Sequence, residues 1–303
     1  MEVSVIIPTY NRAASLANTL DALKIQTIQD FELIVVIDGS ADHTGEMLEL
    51  RRDEFDSFSI LKQVNQGRAI ARNSGAAVAT GDIFVFYDDD TRPSKNSVQL
   101  HSEFHSRYPG ALCGGAVIED EHTIQTDFQE FRRYLTRKWT KKFSPGLNHL
   151  NSENLFLSAA NFSIPKPLFK RLNGFDSRLN DVEDFDLAAR ALQGNIPVYF
   201  DKTNTVYHDD PVNCKNFILR QRQYNAARKE LYQLKPDTIP NHRSRSPFSI
   251  SPVKRKIFDL VSHKSLAEWI DKENLTWIPE KLRFSLYDWV VTGLGTVFPD
   301  RKI

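Results

Sequence analysis

The sequence predicts an α/β fold, a mostly parallel central sheet flanked by helices, with a helical C-terminal extension. Three observations carry that prediction. Short apolar runs alternate with helix-spaced leucine and alanine patterns through the first third of the chain. The runs are continuously apolar, as strands covered on both faces are. Each run also stops at polar residues, and in open parallel sheets ligands sit beyond the carboxyl ends of the strands.

Residues 3–7 form a nearly continuous apolar run closed by Pro8, which reads as a central strand. Leu16, Leu20 and Leu23 recur at helical spacing. Residues 33–37 are a second, β-branched strand ending at the turn signal Asp38-Gly39-Ser40. Residues 59–64 give a weaker third strand, and 67–79 an alanine-rich helix. Residues 83–87 are a fourth strand, ending at Asp88-Asp89-Asp90. Beyond about residue 110 the pattern is mixed. Strands are expected at 113–118 and 156–164, with two short ones at 197–200 and 205–208. Helices are expected at 128–142 and 182–192. Residues 243–256 are Ser-, Pro- and Arg-rich and read as a linker. The last forty residues, with Trp269, Trp277 and Trp289, read as short amphipathic helices.

With 39 basic and 39 acidic side chains among 303 residues and 41% hydrophobic content, the composition is that of a globular protein. It excludes a disordered or collagen-like chain, and zero net charge argues against a nucleic-acid partner. Cys113 and Cys214 are far apart and no CxxC pair exists, so neither a cysteine zinc site nor a disulfide framework is expected. The N-terminus lacks a basic leader and no apolar stretch approaches a membrane span, so the expected location is cytoplasmic. Residues 211–264 nevertheless hold 12 Lys/Arg against three Asp/Glu. A basic extension rich in Trp suits peripheral contact with the inner face of a membrane, a homodimer contact, or packing on the rest of the chain.

The chemistry-bearing residues cluster at the predicted strand ends. Three adjacent carboxylates, Asp88, Asp89 and Asp90, repel one another unless solvated or neutralised, and a hard divalent cation does the latter with oxygen ligands. The dehalogenase pattern D-x-D-x-T fails at Arg92. Asp38 can accept an imide N–H from a pyrimidine ring or cap the next helix. Gly67 opens a helix carrying Arg68 and Arg72 on one face, suited to a diphosphate or to solvent. Glu183 and Asp184 open another helix, where acids are favourable with or without a role as general base. His208 ends a short strand, as a ligand or as a structural histidine.

Taken in order, these segments resemble the family-2 glycosyltransferases, which have the GT-A fold. The matching string is Pro8-Thr9-Tyr10-Asn11-Arg12, residues 31–40, 65–75 and 81–90, Asn173-Gly174-Phe175-Asp176, Glu183-Asp184-Phe185-Asp186-Leu187 and His208. The resemblance implies a catalytic domain over residues 1–212, with a nucleotide-sugar half to about residue 110 and an acceptor half beyond it. The basic extension covers 213–303. It further implies an inverting transfer from a nucleotide-diphospho-sugar, usually UDP-linked, to a hydroxyl of a glycan, lipid-linked or small-molecule acceptor. Asp38 would contact the base. Pro8, Thr9, Tyr10 and Arg12 would line the nucleoside pocket, with Gly67, Arg68, Arg72, Asp88 and Asp89 completing the donor site. Asp90, Asp88 and His208 would hold Mn²⁺ or Mg²⁺, and Asp184, beside Glu183, would deprotonate the acceptor.

Two departures stand out. Ile37 replaces the first aspartate often found before Asp38, and Asn173-Gly174 stands where Gly-Gly is common, a turn that Asn tolerates. The Gln-x-x-Arg-Trp motif of processive synthases is absent, although Gln221-Arg222-Gln223-Tyr224 lies where such a motif would fall. Residues of about 120–155 are expected to form acceptor loops. A nucleotidyltransferase of related architecture is the competing enzyme, but it would need a glycine-rich loop after the first strand. A binding module with a decayed site is the non-enzymatic alternative, and the retained acids speak against it.

Overall fold

The computed structural model describes residues 1–179, 181–209, 212–237 and 250–303. The chain forms two compact units, Met1–Asp120 with Lys142–Asp209, and Glu121–Lys141 with Asp210–Ile303. The expected acceptor-loop region is therefore divided. Residues 121–141 belong with the C-terminal helices, whereas a catalytic domain over residues 1–212 would hold them in the first unit.

The first unit runs β1 (Val3–Thr9), α1 (Ala13–Lys24), β2 (Glu32–Asp38), α2 (Thr44–Leu50), β3 (Phe58–Gln63), α3 (Arg68–Val78), β4 (Ile83–Tyr87), β5 (Thr91–Pro93), α4 (Ser97–Arg107) and β6 (Leu112–Ile118). After α5 (Asp127–Thr140), which lies in the second unit, it continues with β7 (Leu147–Leu150), β8 (Asn161–Pro165), α6 (Lys166–Arg171), α7 (Glu183–Gln193) and β9 (Val198–His208). The sheet order is β3-β2-β1-β4-β8-β6-β9-β5, with β7 also on β9. Neighbours from β3 to β4 are parallel, as are β6 and β9. β8, β5 and β7 enter antiparallel.

Burial follows the sequence pattern. Every residue of β1 and β4 is buried, as continuous apolar runs require. Leu16, Leu20 and Leu23 of α1 pack with Val5, Leu33 and Val85 in one core cluster. Gly75 lets α3 approach the sheet, because a Cβ there would lie 2.6 Å from Ile6 Cγ2. Register brings the strand ends level. Thr9 pairs with Ile37, and Phe86 with Ile6, so the residues after β1, β2 and β4 emerge on one rim. Asn161 pairs with Tyr87, which places the start of β8 at the same rim.

Two expected elements differ. The strand expected at 156–164 is the shorter β8, because the chain before Asn161 bends to offer its backbone to α7. The two late strands are one, β9. Its pairing with β6 jumps from Asp201 to Thr205, so three polar residues are unpaired with β6 where the sequence reads as a break.

The second unit also contains α8 (Cys214–Leu234), α9 (Pro252–Val261), α10 (Lys264–Asp271) and α11 (Glu280–Thr292). Phe128, Phe131, Phe217, Phe284 and Tyr287 are buried in its core. Arg283 binds Asp127 through Nε at 2.8 Å and Nη2 at 2.7 Å, and the Tyr287 hydroxyl donates to the same carboxylate. Arg222, in the segment compared with the synthase motif, donates to the carbonyls of Leu294 and Arg301. Of the expected linker, residues 243–249 lie outside the described residues. From Pro252 the chain is helical, with Ser251 as N-cap and proline in the first turn. Among the described residues, no helix is long and apolar enough to cross a membrane.

Candidate active site

The rim of the first unit gathers the polar residues that follow its strands. Asp38, at the end of β2, is buried, and its carboxylate is held from two sides. Oδ1 accepts from Gln63 Nε2 at 2.8 Å and from the Gln66 N–H at 2.9 Å, and Oδ2 accepts from the Gly67 N–H at 2.8 Å. Asp38 thus organises the loop entering α3. The start of α2 is served by Asp42 instead, whose Oδ1 accepts from Thr44 N at 3.1 Å. Asn11, with φ of 52°, accepts from the Ala41 N–H at 2.7 Å and donates its own N–H to Ser40 Oγ at 2.9 Å. It ties the loop after β1 to the loop after β2. Pro8 and Thr9 are buried beneath this loop, while Tyr10 and Arg12 are exposed.

The centre of the site is Arg72. It lies on α3 facing inward, its side chain 2% exposed, with one nitrogen 2.5 Å from Asp88 Oδ1 and another 2.5 Å from Glu183 Oε1. The Phe175 ring lies beneath the guanidinium, 5.6 Å to its centroid. This ion pair bridges the end of β4 and the start of α7, which are 95 residues apart in sequence (88 to 183). Burial alone would lower the Arg72 pKa, but the charges of Asp88 and Glu183 outweigh it and hold it above its ordinary value. Burial likewise opposes ionisation of Asp88, yet Arg72 and Arg68 keep its carboxyl below the ordinary range. One guanidinium does not offset two buried acids equally. Burial pushes Glu183 up to about 7, against the pull of Arg72. Arg68, at the exposed start of α3, has Nη1 3.4 Å from Asp181 Oδ1.

Asp184 is partly exposed. Its Oδ2 accepts from the Ala159 N–H at 3.1 Å and its Oδ1 from the Phe185 N–H at 2.7 Å. Burial raises its pKa, opposed by the Ala159 N–H and the charge of Arg72. Val182, the residue before this acid pair, has φ of 61°, a left-handed conformation costly for a β-branched side chain. Asn73 fixes the neighbouring turn. Its side chain donates to the Phe175 carbonyl at 2.8 Å and accepts from the Phe175 N–H at 3.0 Å. Asn173 and Gly174 both adopt positive φ, so the turn persists without a Gly-Gly pair.

Strand β5 explains how Asp90 meets His208. Thr91 pairs with His208 across the β5–β9 ladder, leaving Asp90 Oδ1 3.5 Å from His208 Nε2. Asp90 Oδ2 is 4.0 Å from Arg12 Nη1. Asp89 precedes Asp90, and burial, then the flanking Asp90 and Asp88 charges, push its carboxyl up to about 7. Arg92, where the dehalogenase pattern fails, binds Asp209 at 2.5 Å and Asp120 at 2.7 Å.

The sequence-predicted residues Thr9, Arg12, Asp38, Arg68, Arg72, Asp88, Asp89, Asp90, Glu183, Asp184 and His208 thus share one unit and one rim. Sequence reasoning names Asn11, Asn73 and Phe175 only within the matching string, without a role, and misses Ala159 and Asp181; their side chains or backbone hold the others in place. The paired positive-φ Asn173 and Gly174 marked that second turn. Beneath the rim, His101 and His105 are buried and tied to Ser163. Burial lowers their pKa values to about 4 and about 3, so they are neutral structural groups.

Comparison with known proteins gives this arrangement a family. The model described as Glycosyl transferase family 2 matches residues 4–172. The uncharacterized glycosyltransferase EpsJ of Bacillus subtilis is 27% identical over 237 residues, covering 74% of this chain and 68% of that protein. The glucosyl-dolichyl phosphate glucuronosyltransferase of Haloferax volcanii is 24% identical over 227 residues, covering 73% and 71%. Among solved structures, the mannosyltransferase PcManGT of Pyrobaculum calidifontis, in complex with GDP-Man and Mn²⁺, superposes with a TM-score of 0.61 at 16% identity, covering 99% of this chain and 88% of that one. S. aureus TarS 1-349 in complex with UDP superposes at 0.57 and 18% identity, covering 97% and 90%. The chain belongs to glycosyl transferase family 2: it has the GT-A fold and is a transferase acting on nucleotide sugars.

Proposed function

We propose that this enzyme inverts the anomeric centre of a UDP-linked sugar as it transfers that sugar to a hydroxyl acceptor, with a divalent cation assisting departure of the diphosphate. The observation that carries the reading is the Asp88–Arg72–Glu183 bridge. It fastens the acids after β4 to the acids of α7, with Asp90 and His208 alongside.

Asp184 is the general base. It acts in its ionised form, with the Ala159 and Phe185 N–H groups holding its carboxylate in place. The acceptor oxygen attacks the anomeric carbon as its proton passes to Asp184. The bond from that carbon to the β-phosphate oxygen breaks in the same displacement, and its electron pair leaves on the diphosphate. Arg68, exposed at the start of α3, would meet that charge. Arg72, buried between two acids, serves as the brace of the site. Asp38 reads the nucleobase. A carboxylate has about four acceptor positions, and three already take internal donors. One position suits the single imide N–H of uracil. Pro8, Thr9, Tyr10, Arg12 and Gly67 shape the nucleoside pocket, and residues beyond about 111 in the first unit shape the acceptor side.

The donor set at Asp90 and His208 fits a cation. A carboxylate oxygen and an imidazole nitrogen 3.5 Å apart are suitable ligands for Mn²⁺, and Asp88 stands two residues before Asp90 in the chain. Among the described residues no group of three or more His, Cys, Asp or Glu side chains forms a complete cage, so the donor phosphates would complete the coordination of Mn²⁺ or Mg²⁺. When bound, the cation neutralises charge developing on the leaving diphosphate. Acceptors of this chemistry belong to polysaccharide, glycolipid or envelope-glycan synthesis.

Calorimetry with UDP-sugars tests the reading. The parent chain should bind donor more tightly with Mn²⁺ than without, and Asp90→Ala should lose that increment. Equal metal dependence in Asp90→Ala would remove Asp90 from the site.

A further inference from the structure

Helix α9 presents an apolar ridge away from the core of its own unit. At 100° per residue, Val253, Ile257 and Leu260 fall within an arc of about 60°. They are 70%, 41% and 82% exposed. The other side of the helix serves the fold. Val261 packs against the second unit's core, Phe258 Cδ1 lies 3.4 Å from the position a Gly293 Cβ would take, and Arg255 lies over the Phe298 ring. The ridge is flanked by Lys254 on one side and Lys256 on the other, by the same helical geometry.

An apolar ridge between two lysines suits a bilayer interface. The apolar side chains enter the acyl boundary, while the lysine stems lie along it and carry their ammonium groups to lipid phosphates. The charge of the sequence segment that contains α9 agrees, since residues 211–264 hold 12 Lys/Arg against three Asp/Glu in a neutral chain. The same unit exposes Trp277 by 80% and Trp269 by 49%, the side chain enriched where water meets lipid. A second copy fits less well. Three exposed side chains fall far short of the ~800 Å² per partner of a stable interface, and two copies would set lysine against lysine.

From these observations we infer that α9 docks on an anionic membrane, with Val253, Ile257 and Leu260 inserted and Lys254 and Lys256 on lipid phosphates. The inference is independent of the active-site reading. The test is co-sedimentation of the full chain with phosphatidylcholine vesicles, with and without phosphatidylglycerol. The parent should pellet with the phosphatidylglycerol vesicles and be released as salt is raised. Val253→Asp/Leu260→Asp should weaken binding by about tenfold or more. Lys254→Glu/Lys256→Glu should abolish the preference for phosphatidylglycerol. All four positions are exposed, and unchanged melting temperatures verify that the variants fold. Three outcomes would overturn the inference: no pelleting at low salt, a ridge variant that binds like the parent, or a solution dimer that the ridge variant dissolves.

Discussion

Replacing Arg72 by methionine removes a side chain that touches both Asp88 and Glu183, and keeps the approximate volume of the site. Each contact is 2.5 Å long, and the guanidinium and Glu183 are only 2% and 3% exposed. Removing one partner of such a buried pair costs about 3–5 kcal/mol, because the charges left behind lack compensation. For a unit of this size, that corresponds to a fall of roughly 6–20 °C in melting temperature. The pH dependence gives the cause away. In the parent, Asp88 is held below the ordinary range, so its stabilising contribution is present above the unfolded carboxylate pKa and lost as pH falls through the folded one. Glu183 acts in the opposite sense. With its pKa raised from 4.5 to about 7, it lowers stability as pH climbs through that interval. Without Arg72, both carboxyls are displaced upward. The gap between Arg72→Met and parent should therefore be widest near pH 8 and narrow toward pH 5, as protonation removes the uncompensated charges. Thermal melts of both proteins across that range decide it. A variant melting within about 2 °C of the parent at every pH would show that Arg72 is not the brace described here.

Asp184→Asn should lower turnover by about 10²–10⁴-fold with donor affinity retained, and normal turnover with collapsed donor affinity would exclude Asp184 as the base. Gly115→Ala places a Cβ 2.2 Å from Asn161 Nδ2 and 2.5 Å from the Asn204 carbonyl. It should cost at least about 1–3 kcal/mol in urea unfolding, and an unchanged midpoint would contradict that packing. Asn73→Ala removes both hydrogen bonds to the Phe175 backbone and should destabilise by about 1–3 kcal/mol by the same measurement, with no loss expected if water replaces them equally well.

The elements that sequence reveals here are those whose pattern is local. β1, β2 and β4 are buried on both faces, and their continuous apolar runs announce it. The acids opening α7 are legible for the same reason, since a helix start favours them and their motif is contiguous. The sequence singles out Arg72, but its environment is not legible there. Its spacing from Arg68 suggests a shared face toward a ligand, yet its partners come from β4 and α7, and long-range pairing leaves no trace in local spacing. β9 was hidden by its own bulge, because Lys202, Thr203 and Asn204 interrupt the apolar pattern without ending the strand. Helix α5 was found, but its aromatic face gave no sign that its burial partners lie on α8 and α11.

The internal bonds of Asp38 have a consequence for how the enzyme meets its donor. Gln63 comes from the end of β3 and Gly67 from the entry to α3, and both converge on a carboxylate at the end of β2. Asn11 links that same turn to the end of β1. With Asp38 in the base-reading role proposed for it, the nucleoside edge is assembled before any donor arrives, and little ordering entropy remains to be lost there on binding. Amide exchange at Gln66 and Gly67 should accordingly be slow in the free enzyme and change little on saturation with nucleotide.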